Sequence, residues 1–372
     1  MKVKILVIAV LLAVFAQGVS FAQMAEDYLR LGVQYYNQGN FPKAIECFLE
    51  AKTIIEKTLG KEHPDYATTV NNLGLLYKSM GDYAKAESCY LEARAIKEKV
   101  LGKEHPSYAT TLINLGGLYY SMGDYAKAES CYLEARAIYE KVLGKEHPDY
   151  ATTLNNMGLL YNNMGDYAKA ESCFLEARAI KEKVLGKEHP SYATTLSNLG
   201  GLYYSMGDYA KAESCYLEAR AIWEKVLGKE HPFYATTLND MGLLYDSMGD
   251  YAKAESCYLE ARAIDEKVFG KEHPYYATTL DNLYTLYLSK KEYTQALTYK
   301  QEQIRIKTDL VNQNFSFQTE QQRDAYWNAN SYSFELSYSL SFYHSVPASN
   351  VLNYDNALFS KGILLRTTNA VR

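Results

Sequence analysis

The chain has 372 residues, of which 48% are hydrophobic and 22% charged, and a formal net charge of -5 at pH 7. That length would ordinarily hold two or three globular domains. The mildly negative balance excludes a general attraction to phosphate backbones, so nucleic acid is not an expected partner.

The chain begins with Lys2 and Lys4, an apolar run from Ile5 to Ala16, and Ser20-Phe21-Ala22 ahead of Gln23. These follow the order of the n-region, h-region and small-residue cleavage site of a secretory signal peptide. A spanning helix needs about 20 apolar residues, more than this run supplies; an uncleaved N-terminal anchor is the alternative. Read as a signal peptide over residues 1–22, the segment implies an exported protein, periplasmic or extracellular, with no stable membrane insertion after cleavage. No later stretch approaches membrane length.

Residues 25–60 form a first unit, AEDYLRLGVQYYNQGNFPKAIECFLEAKTIIEKTLG. Leu31, Gly32 and Tyr35, then Ala44, Phe48 and Ala51, follow helical spacing, and Gly39-Asn40 interrupts them, so the unit reads as a helix hairpin. Asn40 is placed to cap the second helix, with Pro42 in its first turn. Closer copies follow every 42 residues, marked by His-Pro pairs at His63, His105, His147, His189, His231 and His273. In each Gly-Lys-Glu-His-Pro the Gly suits a left-handed residue ending one helix, and the Pro suits the first position of the next. Met-Gly-Asp separates the two helices of a unit, Gly123 stopping the first and Asp124 capping the second. The helices should be roughly 17 to 20 residues, about 25 to 30 Å, long. A fixed period of this size signals a solenoid, in which each unit buries its apolar face against its neighbours. The units lie near 25–60, 61–102, 103–144, 145–186, 187–228, 229–270 and 271–307, and form one array.

Cys47, Cys89, Cys131, Cys173, Cys215 and Cys257 keep the same step. Equivalent positions in neighbouring helix pairs lie about 8 to 10 Å or more apart, whereas a disulfide needs Cα atoms within about 7 Å. The cysteines therefore read as one core-facing position repeated. The histidines form a spaced row, and a metal ion needs several donors converging at about 2.0 to 2.3 Å. They read as loop caps, and neither a metal nor a cofactor is expected. A Cys-His nucleophilic pair fails likewise, because Cys89 and His105 fall on different elements of a unit that is then repeated.

Each copy carries Leu-Gly-x-x-Tyr or Met-Gly-x-x-Tyr, then Ala-x-x-x-Tyr or Ala-x-x-x-Phe, then another Ala. In residues 103–144 these are Leu115, Gly116, Tyr119, Ala128, Tyr132 and Ala135. The pattern resembles the tetratricopeptide repeat (TPR) family. Leu112 stands where that family has Trp, and the closing Pro is absent, so the second helix runs on into Glu-Lys-Val-Leu. This 42-residue form is similar to the repeats of kinesin light chains and of many bacterial signalling proteins. The resemblance covers roughly residues 25–307. It implies an all-α, right-handed superhelical solenoid of about seven antiparallel helix hairpins, with a concave groove lined by the first helices. The last unit is degenerate: Tyr284 replaces the helix Gly, and Lys300 and Gln303 replace the aromatic residue and the Ala.

Residues 308–372 read as a helical C-terminal cap or connector, with an aromatic segment from Ala325 to Tyr343 and an apolar-periodic one from Val351 to Leu365. FSFQTEQQRDAYWN and NYDNALFSKGILLRTTNAV resemble the connector between TPR arrays and CHAT domains in bacterial exported proteins. CHAT domains are caspase-like folds using a His and Cys pair. No Cys follows Cys257, so no residue here takes that role, and His344 reads as a surface residue.

The column that suggests function is the polar residue before each Leu-Gly or Met-Gly pair: Asn72, Asn114, Asn156, Asn198, Asp240 and Asn282. An amide offers a donor and an acceptor, and so can bond the backbone of an extended peptide whatever its side chains. In TPR proteins that this chain resembles, Asn at the matching place commonly holds ligand backbones. The alternative is that Asn is simply frequent there. Each such bond contributes about 0.5 to 1.5 kcal/mol net, so side-chain pockets must add affinity, and there the copies alternate. Gly117 with Tyr120, and Gly201 with Tyr204, face Leu75 with Lys78, Leu159 with Asn162, and Leu243 with Asp246 in the other copies. Late in the second helix Lys97, Tyr139, Lys181, Trp223 and Asp265 alternate too, giving a super-period of 84 residues. Block duplication accounts for it; a recess opened by Gly every second unit is the functional reading. The chain is thus expected to be a non-enzymatic scaffold with a protein or peptide ligand in the groove. The alternatives are a sensor half of a CHAT-type protease and a spacer with no ligand.

Overall fold

A computed structural model describes residues 20–37 and 40–315. The signal segment up to residue 19, Gly39, and the tail from residue 316 with its connector and cap readings lie outside the described residues. Among the described residues every regular element is an α-helix, and the helices pair in chain order. The hairpins are α1 (Phe21–Asn37) with α2 (Phe41–Leu59), α3 (Pro64–Ser79) with α4 (Tyr83–Leu101), and α5 (Pro106–Ser121) with α6 (Tyr125–Val142); α7 (Pro148–Asn163) and α8 (Tyr167–Leu185) come next in the chain. They continue with α9 (Pro190–Ser205) and α10 (Tyr209–Leu227), α11 (Pro232–Ser247) and α12 (Tyr251–Phe269), and α13 (Pro274–Ser289) and α14 (Tyr293–Phe315). The all-α repeat is the fold the resemblance implied. The first helices from α3 onward have 16 residues, just short of expectation, and α14 runs on past residue 307. Contacts divide the chain into two compact units, Met1–Leu160 and Tyr161–Arg372.

The same local chemistry starts and stops each helix. His105 has extended backbone, its Nδ1 accepts the Ser107 N–H at 3.1 Å, and Pro106 follows as the first helical residue. Asp124 accepts the Lys127 N–H at 3.2 Å, and Asn40 accepts that of Lys43 at 3.3 Å. The helix-ending glycine differs from expectation. Gly102 has φ 85 with ψ 159, a mirror-extended conformation instead of a left-handed helical one, reserved for glycine all the same.

Packing within a hairpin turns on a second glycine. A Cβ at Gly116 would stand 2.7 Å from the Tyr132 ring, and one at Gly242 2.4 Å from the Tyr258 ring. The ring therefore lies against bare helix backbone, and Leu112, Leu115, Ala128 and Ala135 close around it, each no more than 1% exposed. Burying a side chain of this size contributes about 1.5 to 3 kcal/mol. The last hairpin exchanges the partners. Tyr284 supplies the bulk from the first helix, and the slender Lys300 replaces the ring, fully buried with Nζ 2.9 Å from Asp281 Oδ1 and 4.9 Å from the Tyr284 ring centre.

Between hairpins, the alternating residues late in the second helix turn out to be interior. Lys97 is 3% exposed, and its Nζ donates to the Ser107 carbonyl at 3.2 Å and the Thr111 hydroxyl at 3.0 Å. Lys181 repeats this with Ser191 and Thr195. Among the described residues no carboxylate pairs with either ammonium, and burial pushes both pKa values down to about 8. At Asp265 the sense reverses, and Thr279 donates to its carboxylate at 2.8 Å. Tyr139 and Trp223 fill their junctions with rings, the latter packed on Phe233 at 4.9 Å. No described helix is long and apolar enough to cross a membrane.

Candidate functional site

Consecutive first helices approach one another directly, α3 with α5 in one unit and α9 with α11 and α11 with α13 in the other. Every residue of the expected ladder, Asn72, Asn114, Asn156, Asn198, Asp240 and Asn282, stands on a first helix and is half-buried.

Part of the ladder is committed to holding the stack together. Asn114 Nδ2 donates to Asn71 Oδ1 at 3.2 Å, and Asn282 Nδ2 to Asn239 Oδ1 at 3.1 Å, each bond joining neighbouring hairpins. Asn239 in turn donates to Thr279 at 2.9 Å. Those amides keep Oδ1 and one N–H for a ligand. The column at Asn71 and Asn239, which sequence reasoning passed over, was signalled by its offset of one residue from the ladder.

Asp240 is the exception in charge. It is half-buried, and burial pushes its carboxyl up to about 7. Burial likewise raises the Asp246 carboxyl, with a hydrogen bond from Ser289 opposing the shift.

The glycine recesses differ from each other. At Gly117 a Cβ would lie 3.3 Å from Lys78 Nζ and 3.6 Å from the Tyr132 hydroxyl. Lys78 of the preceding hairpin therefore occupies this recess, and burial lowers its pKa. The expected opening flanked by Tyr120 is thus corrected: an ammonium fills it. At Gly201 only the Tyr216 hydroxyl, 3.7 Å away, comes within 4 Å of the Cβ position. Here the recess is open. Tyr204 shares a hydrogen bond with Ser247 at 2.9 Å, while Asn162 Oδ1 and Asp246 Oδ1 are buried without a hydrogen-bond partner. In the other copies Leu75 and Leu243 stand 38% and 42% exposed, and Leu159 is half-buried.

The regular histidine and cysteine columns serve structure. Each imidazole seen at a cap has its Nδ1 occupied by a backbone N–H, as at His63, His105 and His189. The six cysteines are free thiols. Burial pushes those of Cys89, Cys131, Cys215 and Cys257 up to about 11, leaving little thiolate at neutral pH. Among the described residues no group of three or more His, Cys, Asp or Glu could hold a metal ion.

Comparison with solved structures finds the same repeat architecture in several proteins. The Rap conjugation gene regulator of the plasmid pLS20, solved with the Phr* peptide, is 18% identical with a TM-score of 0.56, over 77% of this chain and 75% of that one. BtubC (BKLC) from P. vanneervenii is 24% identical with a TM-score of 0.50, over 61% and 90%. A putative kinesin light chain from Podosopora anserina is 27% identical with a TM-score of 0.46, over 54% and 95%. No curated protein matches the chain. The family described as "Tetratricopeptide repeat" matches residues 23–99, 69–141, 107–183, 149–219, 191–267 and 247–309. These windows run without a break over most of the sequence, and the chain belongs to the tetratricopeptide repeat family.

Proposed function

We propose that the chain is a non-enzymatic scaffold that holds an extended peptide segment of a partner protein along the inner flanks of its first helices. The observation that carries this reading is the ladder of half-buried amides on successive first helices, with acceptor and donor capacity left over at Asn114 and Asn282. A repeated amide suits a ligand whose own repeat is its backbone. The solved Rap regulator with its Phr* peptide shares this fold and supports the choice of ligand class. The weakly acidic buried thiols support a role without nucleophilic catalysis. Residues 1–22 would direct the chain to export, which makes envelope or extracellular proteins the natural source of partners.

The test is a pull-down from envelope extract with the full chain and with an Asn114→Ala, Asn156→Ala double variant. Partners held through the ladder should be lost from the variant while its helical circular dichroism is retained. Unchanged recovery of every partner would overturn the groove reading.

A further inference from the structure

We propose that the Gly201 recess is a subsite for a primary ammonium group, filled by a lysine side chain of the bound peptide. The proposal rests on the peptide-groove reading and specifies what one position of the ligand must be.

The first unit shows what such a recess accepts. Lys78 Nζ sits 3.3 Å from the Cβ position of Gly117, beside the Tyr132 hydroxyl. Eighty-four residues on, the recess is rebuilt from the same parts, with Gly201 for Gly117 and Tyr216 for Tyr132. The resident ammonium is missing from that copy. Asn162 stands in place of Lys78, too short to enter, and its Oδ1 is buried with no hydrogen-bond partner.

Charge has changed sign as well. Asp240 takes a ladder position that is Asn in the other copies, and Asp246 takes the column of Lys78 and Asn162. Both carboxylates bear on the Tyr258 hydroxyl, and Asp240 also on that of Tyr216, the group nearest Gly201. Asp240 is therefore the carboxylate that bears on the recess, whereas Asp246 belongs to the next seam, where Ser289 bonds it. Asp240 has no ion-pair partner among the described residues, and Asn162 Oδ1 is buried and unbonded. An ammonium brings three donors and no acceptor. It matches the orphan oxygen of Asn162, the Asp240 carboxylate and the Tyr216 ring. A neutral or acidic side chain would leave those acceptors unpaired at a cost.

The experiment pans a display library of random dodecapeptides against the full-length chain, an Asp240→Asn variant, and Asn162→Lys. Wild type should enrich peptides with lysine at one fixed position. Those peptides should bind Asp240→Asn about tenfold or more weakly. They should lose binding to Asn162→Lys as well, because that variant supplies its own ammonium, and its melting temperature should rise. Peptides enriched without a fixed lysine, or binding indifferent to both variants, would overturn the subsite and leave the groove intact. Arginine at the fixed position would overturn the ammonium assignment. No enrichment at all by wild type would overturn the groove reading itself.

Discussion

Gly117 and Gly201 lie in hairpins of identical local sequence, LGGLYYSMGDYAKAESCYLEARAI in both, yet one recess holds an ammonium and the other is open. The difference comes from residues about forty positions away: Lys78 against Asn162 before the recess, and Asp240 after Gly201. In a stacked array the surroundings of a residue belong to the adjacent copies as much as to its own. Two identical modules can therefore be surrounded by side chains of opposite charge, and a site cannot be assigned from the module that contains its floor.

The comparison is sharpened most by the paired glycines. Gly242→Ala drives a Cβ into the Tyr258 ring and should cost about 2 to 3 kcal/mol in urea unfolding. Gly201→Ala meets only a hydroxyl at contact distance and should stabilise by about 0.5 to 1 kcal/mol through helix propensity. Equal losses at both positions would show that the Gly201 recess is closed.

Next in size are the twin junction lysines, one in each unit. Lys97→Met and Lys181→Met each remove an ammonium buried without a counter-charge, and should stabilise by about 1 kcal/mol at pH 7. Both lysines have folded pKa values near 8 against an ordinary 10.5. The unfolded chain thus binds more protons between those values, and wild-type stability should rise with pH from about 8 towards 10. Each methionine variant should flatten part of that rise in a melting series. A response from only one of them would break the equivalence of the two junctions.

Asp240→Asn probes what the second unit alone possesses. Its carboxyl is held up at about 7 against the usual 3.8, so the folded state keeps a proton that the unfolded chain has lost. That contribution to stability is complete below pH 3.8 and is gone once pH has risen through 7. At pH 8 the Asn variant should be more stable by roughly 1 kcal/mol, a discounted figure because the group stays partly solvated. Its melting temperature should also lose the decline between pH 4 and 7. The smallest effect belongs to features that both units share at their surface: Lys141→Ala breaks an exposed pair with Glu104 and should change stability by less than about 0.5 kcal/mol.

The hairpins, their caps and their glycine contacts were legible because each depends on residues close in sequence. His105 reaches two residues along, Asp124 three, and the Gly116–Tyr132 contact lies within one unit. The helix-ending backbone was read less well: a glycine at Gly102 reveals a positive φ but not its ψ of 159. The pairing of the ladder was not visible, because Asn114 bonds Asn71 across 43 residues. The super-period was visible as a pattern without a division of labour. Burial separates its parts, with Lys97, Tyr139, Lys181, Trp223 and Asp265 inside the junctions and Gly117, Gly201 and Lys78 half-buried on the first helices.

The junction residues also bear on how such an array can grow or shrink. Lys97 and Lys181 bond a backbone carbonyl and a threonine hydroxyl that every hairpin opening offers, whereas Trp223 packs on Phe233, a ring that stands where the openings after Lys97 and Lys181 have serine. Losing or copying a single hairpin at the Trp223 seam would set one of these rings against a partner of another kind, a mismatch that the lysine seams do not impose. The same mismatch acts on the newly made chain: near-identical hairpins that could dock on the wrong neighbour are told apart by what each leaves at its seam.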